Sequence, residues 1–454
     1  MADVDDQSAT VALMAEVWPM IDALMGGTKA MRAAAKTLLP QWPNEDDDSY
    51  KTRLGTAVLH PVFQRTCQVM AAKPLARPIV VDKSVPTRIT DWFGNIDMHG
   101  TSLHAFVSQV MLACMSHGLH GVLVDYPQVA QAKTKADEQA SGARPYWTQY
   151  PAKAILGWRA TDGKLTQLRL LETVVEDDGE FGEKAVDQVR VLTPGAWNVW
   201  RKPEGKQEFA PYQEGTTTIK EIPFRFFYGI RKGFGVGATP LLDLAYQNVE
   251  HWQAASDQQT ILHVARVPIL FAKMFGDSEL TIGAASAAQS DSPEADLRYV
   301  EHTGAAIEAG RQAILDLEER MRQSGAELLV QQPTLITATQ VVSDGEANKS
   351  ILQRIVEEFE ASLNGCLELT GEWVGDGSSD GVTLFKDFGA SALSDQSAQT
   401  LHNAATAKHI SKETVFDEFQ RRNIISADRT WAAEKIRLQG EVDTSTPAKG
   451  SQAA

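Results

Sequence analysis

The sequence predicts an α+β fold on three observations. Apolar residues recur at helical spacing over Val11–Leu39, over Thr101–His117 and again around Ile351–Cys366. Between Gln167 and Val191 the period drops to two, with turn signals at Asp162-Gly163 and Pro194-Gly195. Two long helices of polar or charged composition, Pro240–Arg266 and Ala305–Gln323, follow that strand-rich stretch.

The 454 residues leave room for about two to four domains. Lys and Arg number 43 against 59 Asp and Glu, a net charge of −16 with a pI near 5.1. Such a chain lacks the cationic surface that tight, sequence-independent wrapping of nucleic acid requires. Gly at 33 and Pro at 19 are ordinary usage, which excludes collagen-like and low-complexity readings. Cys67, Cys114 and Cys366 lie far apart, so neither a disulfide framework nor a paired-cysteine zinc site is predicted, and a reducing compartment is. The first ten residues are acidic and polar, and no apolar run approaches the roughly 18 residues of a membrane span. The sequence therefore predicts neither secretion nor a membrane.

In chain order, the periodicity of Val11–Leu39 breaks at Gly26-Gly27 and stops at Pro40. The acidic run Asn44–Asp48 then caps a helix over Ser49–Ala72, because carboxylates are favoured at a helix N-terminus. Thr101–His117 is a helix stopped by Gly118, followed by a buried strand at Val122-Leu123-Val124. The period-two stretch reads as an antiparallel meander with an acidic loop at Glu176–Glu183. Pro240–Arg266, about 40 Å long at the usual rise, is polar nearly all round from Glu250 to Thr260. Such a helix crosses solvent or packs beside copies of itself. A small insertion, Val267–Thr303, separates it from the charged helix Ala305–Gln323. After a helix-poor stretch to Gly345 come the helix through Ile351 and Cys366, a strand over Gly381–Phe388, and short helices over Ser394–Lys408, Lys412–Arg422 and Asp428–Leu438. Ser394 and Ser411 are placed as N-caps, and Glu441–Ala454 reads as a disordered tail.

Three groups of residues invite a chemical reading. Gly233, Gly235 and Gly237, in Gly-Phe-Gly-Val-Gly-Ala to Ala238, satisfy the dinucleotide fingerprint G-x-G-x-x-A, yet the acidic residue about 20 positions on, Asp257, lies inside the long helix. A glycine hinge or tight turn into that helix is the preferred reading. Cys114, His117 and His120 lack a further ligand or triad member at sensible spacing and read as a core cysteine with histidines at a helix end. Trp197-Asn198-Val199-Trp200 alternates like sheet core and has too few basic neighbours for base stacking. No Walker A loop, H-E-x-x-H or G-x-S-x-G occurs.

A further set of local patterns resembles one family. Met31-Arg32, then Leu39 to Glu45 (Leu-Pro-Gln-Trp-Pro-Asn-Glu), Tyr50 and Arg53-Leu54 come first. Gly100–Leu103, Gly121–Pro127, Arg144–Trp147 with Tyr150-Pro151, and Ile222–Phe224 follow in order. Together with two long helices bracketing a small insertion, these resemble the portal (head-to-tail connector) proteins of tailed bacteriophages, in a subgroup often described only as a domain of unknown function. The resemblance implies an α+β portal-like fold with wing, stem helices, clip, tunnel loop and helical crown. On this chain it places the arm and wing at 1–239, a stem helix at 240–266, the clip at 267–303, a second stem helix at 304–324 and the tunnel-loop region at 325–345. A helix and wing strand would take 346–390, the crown 391–438 and the tail 439–454.

The resemblance further implies a non-enzymatic homo-oligomer, usually a dodecamer, at one capsid vertex of the virion, assembled in the host cytoplasm. Double-stranded DNA would pass through its channel without sequence specificity during packaging and ejection. Terminase large subunit, head-completion or adaptor protein, major capsid protein and scaffolding protein would be its partners, with no cofactor and no membrane. Glu250, Asp257, Gln258, Glu308 and Glu319 are the expected channel-lining residues; Gln331, Gln332, Thr334, Thr337 and Thr339 are expected in the tunnel loop; Gly233, Gly235 and Gly237 form the expected hinge into the stem. An acidic lining suits a conduit, since it repels phosphate at close range. The alternatives are a cytosolic nucleotide-cofactor enzyme using Gly233–Ala238, or another ring or adaptor component of a virion.

Overall fold

The computed structural model describes residues 3–127, 142–203, 205–206, 208–265, 269–274, 292–300, 304–327, 350–376, 381–386, 388, 402–421, 425 and 429–444. The fold is α+β, as the sequence predicts, and the strands among the described residues form five antiparallel sheets.

The first third is helical: α1 (Ala9–Ala15), α2 (Trp18–Met25), α3 (Gly27–Ala34), α4 (Asp47–Thr56), α5 (Val62–Ala72), α6 (Thr87–Thr90) and α7 (Leu103–His117), with strand β1 (Val80–Val81) before α6. Asp46 caps α4, its carboxylate accepting from the Asp48 and Ser49 amides, so the acidic run acts as expected. The helix expected over Ser49–Ala72 is instead two, because Pro61 interrupts the chain and stands as the N-cap of α5. Ser102 caps α7 and Gly118, at φ +80°, ends it.

Two sheets follow. β2 (Leu119–Asp125) lies between β3 (Tyr146–Pro151) and β9 (Phe224–Tyr228), while β4 (Ile155–Thr161), β5 (Lys164–Asp178), β6 (Gly182–Thr193), β7 (Ala196–Arg201) and β8 (Ala210–Thr216) run as the predicted meander. The two faces of the central sheet are told apart by β9. Phe227 packs on Phe359 of a later helix, and its neighbour Phe226 packs edge-on against Trp158 of β4. Because strand side chains alternate, helices cover one face and the meander covers the other. Every residue of β2 from Leu119 to Val124 is accordingly buried. Arg190 of β6 joins the layers through ion pairs to Asp125 at 2.8 Å and Glu172 at 2.7 Å. Trp197 and Trp200 of β7 pack against the main core and a small satellite cluster respectively.

The remaining elements are β10 (Ile230–Gly233) and β11 (Val236–Ala238), helix α8 (Leu242–Ala265), β12 (Ile269–Lys273), β13 (Asp296–Val300), α9 (Ala305–Ala326), α10 (Ile351–Val374), β14 (Val382–Thr383), α11 (Lys412–Arg421) and α12 (Trp431–Thr444). The strand expected over Gly381–Phe388 is only the two residues of β14, paired with β1. Helix α10 carries the Phe359 that covers the central sheet. It is pinned there by the Trp147 Nε1 donation to Thr370 Oγ1 (2.9 Å) and by Trp373 Nε1 donating to the Val124 carbonyl (2.9 Å). Ser411 caps α11 as expected, whereas Ser394 and most of its helix lie outside the described residues. The tail expected to be disordered from Glu441 is helical through Thr444. No helix among the described residues is long and apolar enough to cross a membrane.

Candidate functional site: the two-helix arm

Helices α8 and α9 run antiparallel, joined through the paired strands β12 and β13. Polar contacts set their register. Gln247 Oε1 accepts from Ser324 Oγ at 3.2 Å, His251 Nε2 meets Glu318 Oε1 at 3.3 Å, and Gln258 Nε2 donates to the Ile307 carbonyl at 2.8 Å. Gly310 lets the helices close there, since a Cβ at that position would stand 2.1 Å from Gln258 Oε1.

The polar middle of α8, expected to face solvent or copies of itself, is largely consumed within the chain. Asn248 is fully buried: its Oδ1 accepts from the Phe63 amide and its Nδ2 donates to the His60 carbonyl, both at 2.9 Å. It thereby takes the place of a cap for α5, whose N-cap proline offers no side-chain acceptor. Gln253 Nε2 donates to the Leu38 carbonyl at 3.0 Å. Asp257, which has no basic residue near it in sequence, lies 3.7 Å from Arg53. Sequence spacing could not show that, because the partner comes from the N-terminal helices.

Arg53 is itself buried, forked onto Glu45 with two bonds of 2.8 Å, donating to the Pro40 carbonyl and lying over the Trp42 ring at 4.2 Å. Its hydrogen bonds hold the Glu45 carboxyl below the ordinary value, and burial pushes the Asp257 carboxyl up although Arg53 draws it down. Glu45, Trp42 and Arg53 all fall within the Leu39–Leu54 pattern, but nothing in their spacing links them to α8.

Toward the far end the arm has less cover among the described residues. Buried residues of α9 are Leu317, Met321 and Gly325, all in its second half. The arginines of α9 are each held within the arm: Arg311 by Glu308, Arg320 by Glu250 and Arg322 by Glu319. Asp243, Asp257, Asp316 and Glu318 remain beyond those pairs, so the arm is acidic in sum. Of the residues expected to line a channel, Glu250, Glu308 and Glu319 are exposed, Asp257 is half-exposed and Gln258 is tied between the helices. Gln331, Gln332, Thr334, Thr337 and Thr339 lie outside the described residues.

The glycine loop at the base of the arm is an antiparallel hairpin, β10 to β11, with Gly235 at φ +71° in its turn. This corrects the dinucleotide alternative, which needs a strand, a glycine turn and a helix in one βαβ unit. The hairpin closes before Pro240 and does not run straight into α8. Gly237 fits against the α7–β2 junction, where its Cβ would stand 2.1 Å from the Gly118 carbonyl oxygen, and Thr239 Oγ1 donates to the Met115 carbonyl at 2.8 Å.

Cys114 is buried, and burial raises its thiol out of the reactive range. His117 meets Asp22 at 3.0 Å and Ser116 Oγ at 2.9 Å. His120 is buried on the helix-covered face of β2, where burial pushes its pKa down to about 4 although the Gln149 side chain favours its charged form. Among the described residues, no group of three His, Cys, Asp or Glu side chains is arranged to hold a metal ion.

The molecule is thus an α+β protein whose distinguishing part is an acidic two-helix arm tipped by a strand pair. That arm and helix α10 are what the family described as Domain of unknown function (DUF4055) matches, at residues 240–374, less than half of the chain. The sequence matches none of the curated proteins. Among solved structures the chain is similar to a chain of the "Neck of empty GTA particle computed with C6 symmetry", with a TM-score of 0.43 and 11% identity over 88% of this chain and 95% of that one. It is also similar to a chain of the "Virion of native gene transfer agent (GTA) particle", with a TM-score of 0.39 and 11% identity over 90% and 98%. At these values the likenesses carry no functional argument.

Proposed function

We propose that the chain is the subunit of a portal-type ring, a non-enzymatic structural component of a phage-like virion at the junction of head and tail. The observation that carries the reading is the arm. Helix α9 emerges from the body with its buried residues confined to one half, and a helix left uncovered over several turns is stabilised when neighbouring copies pack beside it. The order of the quoted sequence patterns supports the same reading.

In such a ring α8 and α9 would be the stem, β12 and β13 the clip, and double-stranded DNA would pass along the axis during packaging and ejection. Glu250, Glu308 and Glu319 would face it; their paired arginines neutralise them, and Asp243, Asp257, Asp316 and Glu318 leave the arm the acidic balance that lets phosphates pass without holding them. Terminase and a head-completion protein would dock on the assembled ring, which would form in the host cytoplasm. Light scattering of the purified chain, with negative-stain images, tests the reading. Closed rings of about a dozen copies are expected; a monomer at every salt and protein concentration would overturn it.

A further inference from the structure

The arm meets the body at a pair of histidines. His60 stands in the turn before α5 and His251 on α8, with ring centroids 5.2 Å apart. His251 is buried, and its Nε2 meets Glu318 Oε1 of α9 at 3.3 Å. His60 is exposed, so protons reach it from solvent. The same turn carries a clasp between arm and body. The His60 carbonyl accepts from Asn248 Nδ2 and the Phe63 amide donates to Asn248 Oδ1, both at 2.9 Å. Asn248 lies three residues before His251 on α8, so the ring contact and the clasp share one face of that helix.

The groups around His60 make this a poor place for a positive charge. Partial burial against the arm, and next the His251 ring, lower the His60 pKa from its ordinary 6.5; Glu318 opposes them, and Arg65 of α5 and Arg322 of α9 add repulsion. Glu318 already receives His251, and Arg322 pairs with Glu319 at 3.2 Å. Arg32 of α3 donates to the Ala57 carbonyl at the start of the same turn and brings no negative charge to it. A charged His60 ring is therefore better accommodated with the arm drawn away, where water surrounds it. By linkage the closed joint is fully favoured above pH 6.5 and loses ground as the pH falls below that value.

We infer that His60 and His251 form an acid-sensitive joint, in which protonation of His60 releases the Asn248 clasp and frees the root of the arm from the turn before α5. The joint lies within one chain, so the inference stands apart from the ring reading.

Hydrogen exchange at the Phe63 amide reads the clasp directly, since Asn248 is its acceptor. With rates corrected for the intrinsic effect of pH, protection of the segment holding Phe63 should fall between pH 7.5 and 5.5 by about tenfold more in the wild-type chain than in His60→Gln. The difference between the two proteins is the readout, because His120 acts on the whole fold in both. His60→Lys, charged throughout, should show the loss already at pH 7.5. An equal fall in wild type and His60→Gln would mean that the charged ring turns out into solvent with the clasp closed, and overturns the inference. Full protection of His60→Lys at pH 7.5 overturns it as well.

Discussion

Arg53 reaches Asp257 across 3.7 Å, joining the N-terminal helices to the middle of the arm. The contact is asymmetric: Arg53 is almost wholly buried and forked onto Glu45, whereas the Asp257 side chain is 46% exposed. The energy therefore sits in the Arg53–Glu45 pair, and Asp257 adds a partly screened increment.

Arg53→Met strands the buried Glu45 carboxylate and is expected to cost about 3–5 kcal/mol. Asp257→Asn should cost no more than about 1 kcal/mol, and Asp257→Lys, which sets two cations together, should fall between them. Denaturant unfolding at neutral pH ranks the three. The Glu45 contribution is full above the ordinary glutamate pKa and is lost as pH falls through its lowered folded value.

His120 should make stability depend on pH. Its folded pKa of about 4 lies below the ordinary 6.5, so between those values the unfolded chain binds the extra proton. Stability is unaffected above 6.5 and falls as the pH drops toward 4, by on the order of 3 kcal/mol in all. His120→Leu, which also removes two buried ring nitrogens, should be at least as stable at pH 7 and flatter below 6.5. His60, whose pKa burial likewise lowers, leaves some slope in that variant. An unchanged slope would assign the effect elsewhere.

The three glycines of the hairpin should respond differently to alanine. Gly235→Ala forces a side chain into φ +71° and within 2.5 Å of the Trp158 ring, and should cost about 1–3 kcal/mol. Gly237→Ala meets the Gly118 carbonyl oxygen at 2.1 Å, where backbone cannot yield cheaply, and should be at least as severe. Gly233→Ala finds its nearest neighbour at 3.8 Å and should change stability by less than about 0.5 kcal/mol. Thermal melts separate these outcomes without reference to any ligand.

If the arm lines a DNA channel, Glu308→Lys/Glu319→Lys should leave ring assembly intact, since both carboxylates are exposed and pair only within their own helix. Each exchange also releases an arginine from its pair, so the bore becomes locally cationic. DNA passage should then slow, most at low ionic strength and least above physiological salt. Passage at the wild-type rate in low salt would place these residues away from the axis.

Local features were legible in the sequence. Gly118 ends α7 where the C-cap rule puts it, Ser411 caps α11, and the meander appears where the period turns to two. What escaped was long-range. Asn248 reads as one more polar residue in a polar helix, yet it satisfies groups on His60 and Phe63 across the fold. The same holds for Arg53 beneath α8. Helical periodicity reports which face of a helix is apolar, whereas a buried polar contact is specified by its partner, and the partner lies elsewhere in the chain. The glycine loop was misleading for a related reason. Its spacing fits a turn into a helix, but Val236–Ala238 pairs back on Ile230–Gly233 first, and hairpin pairing is decided by both strands together.

The half-covered helix α9 has a mechanical consequence. Its inner half is clamped by Leu317, Met321 and Gly325, while its outer half has no fully buried residue among those described and is tied to α8 by the Gln258 bond to Ile307. The arm is in effect a cantilever, built in at one end, and a sideways load at the strand pair bends it most just beyond Leu317. Side-chain bonds of the Gln258 kind can exchange with water as the helices shear, so the beam flexes without its root letting go.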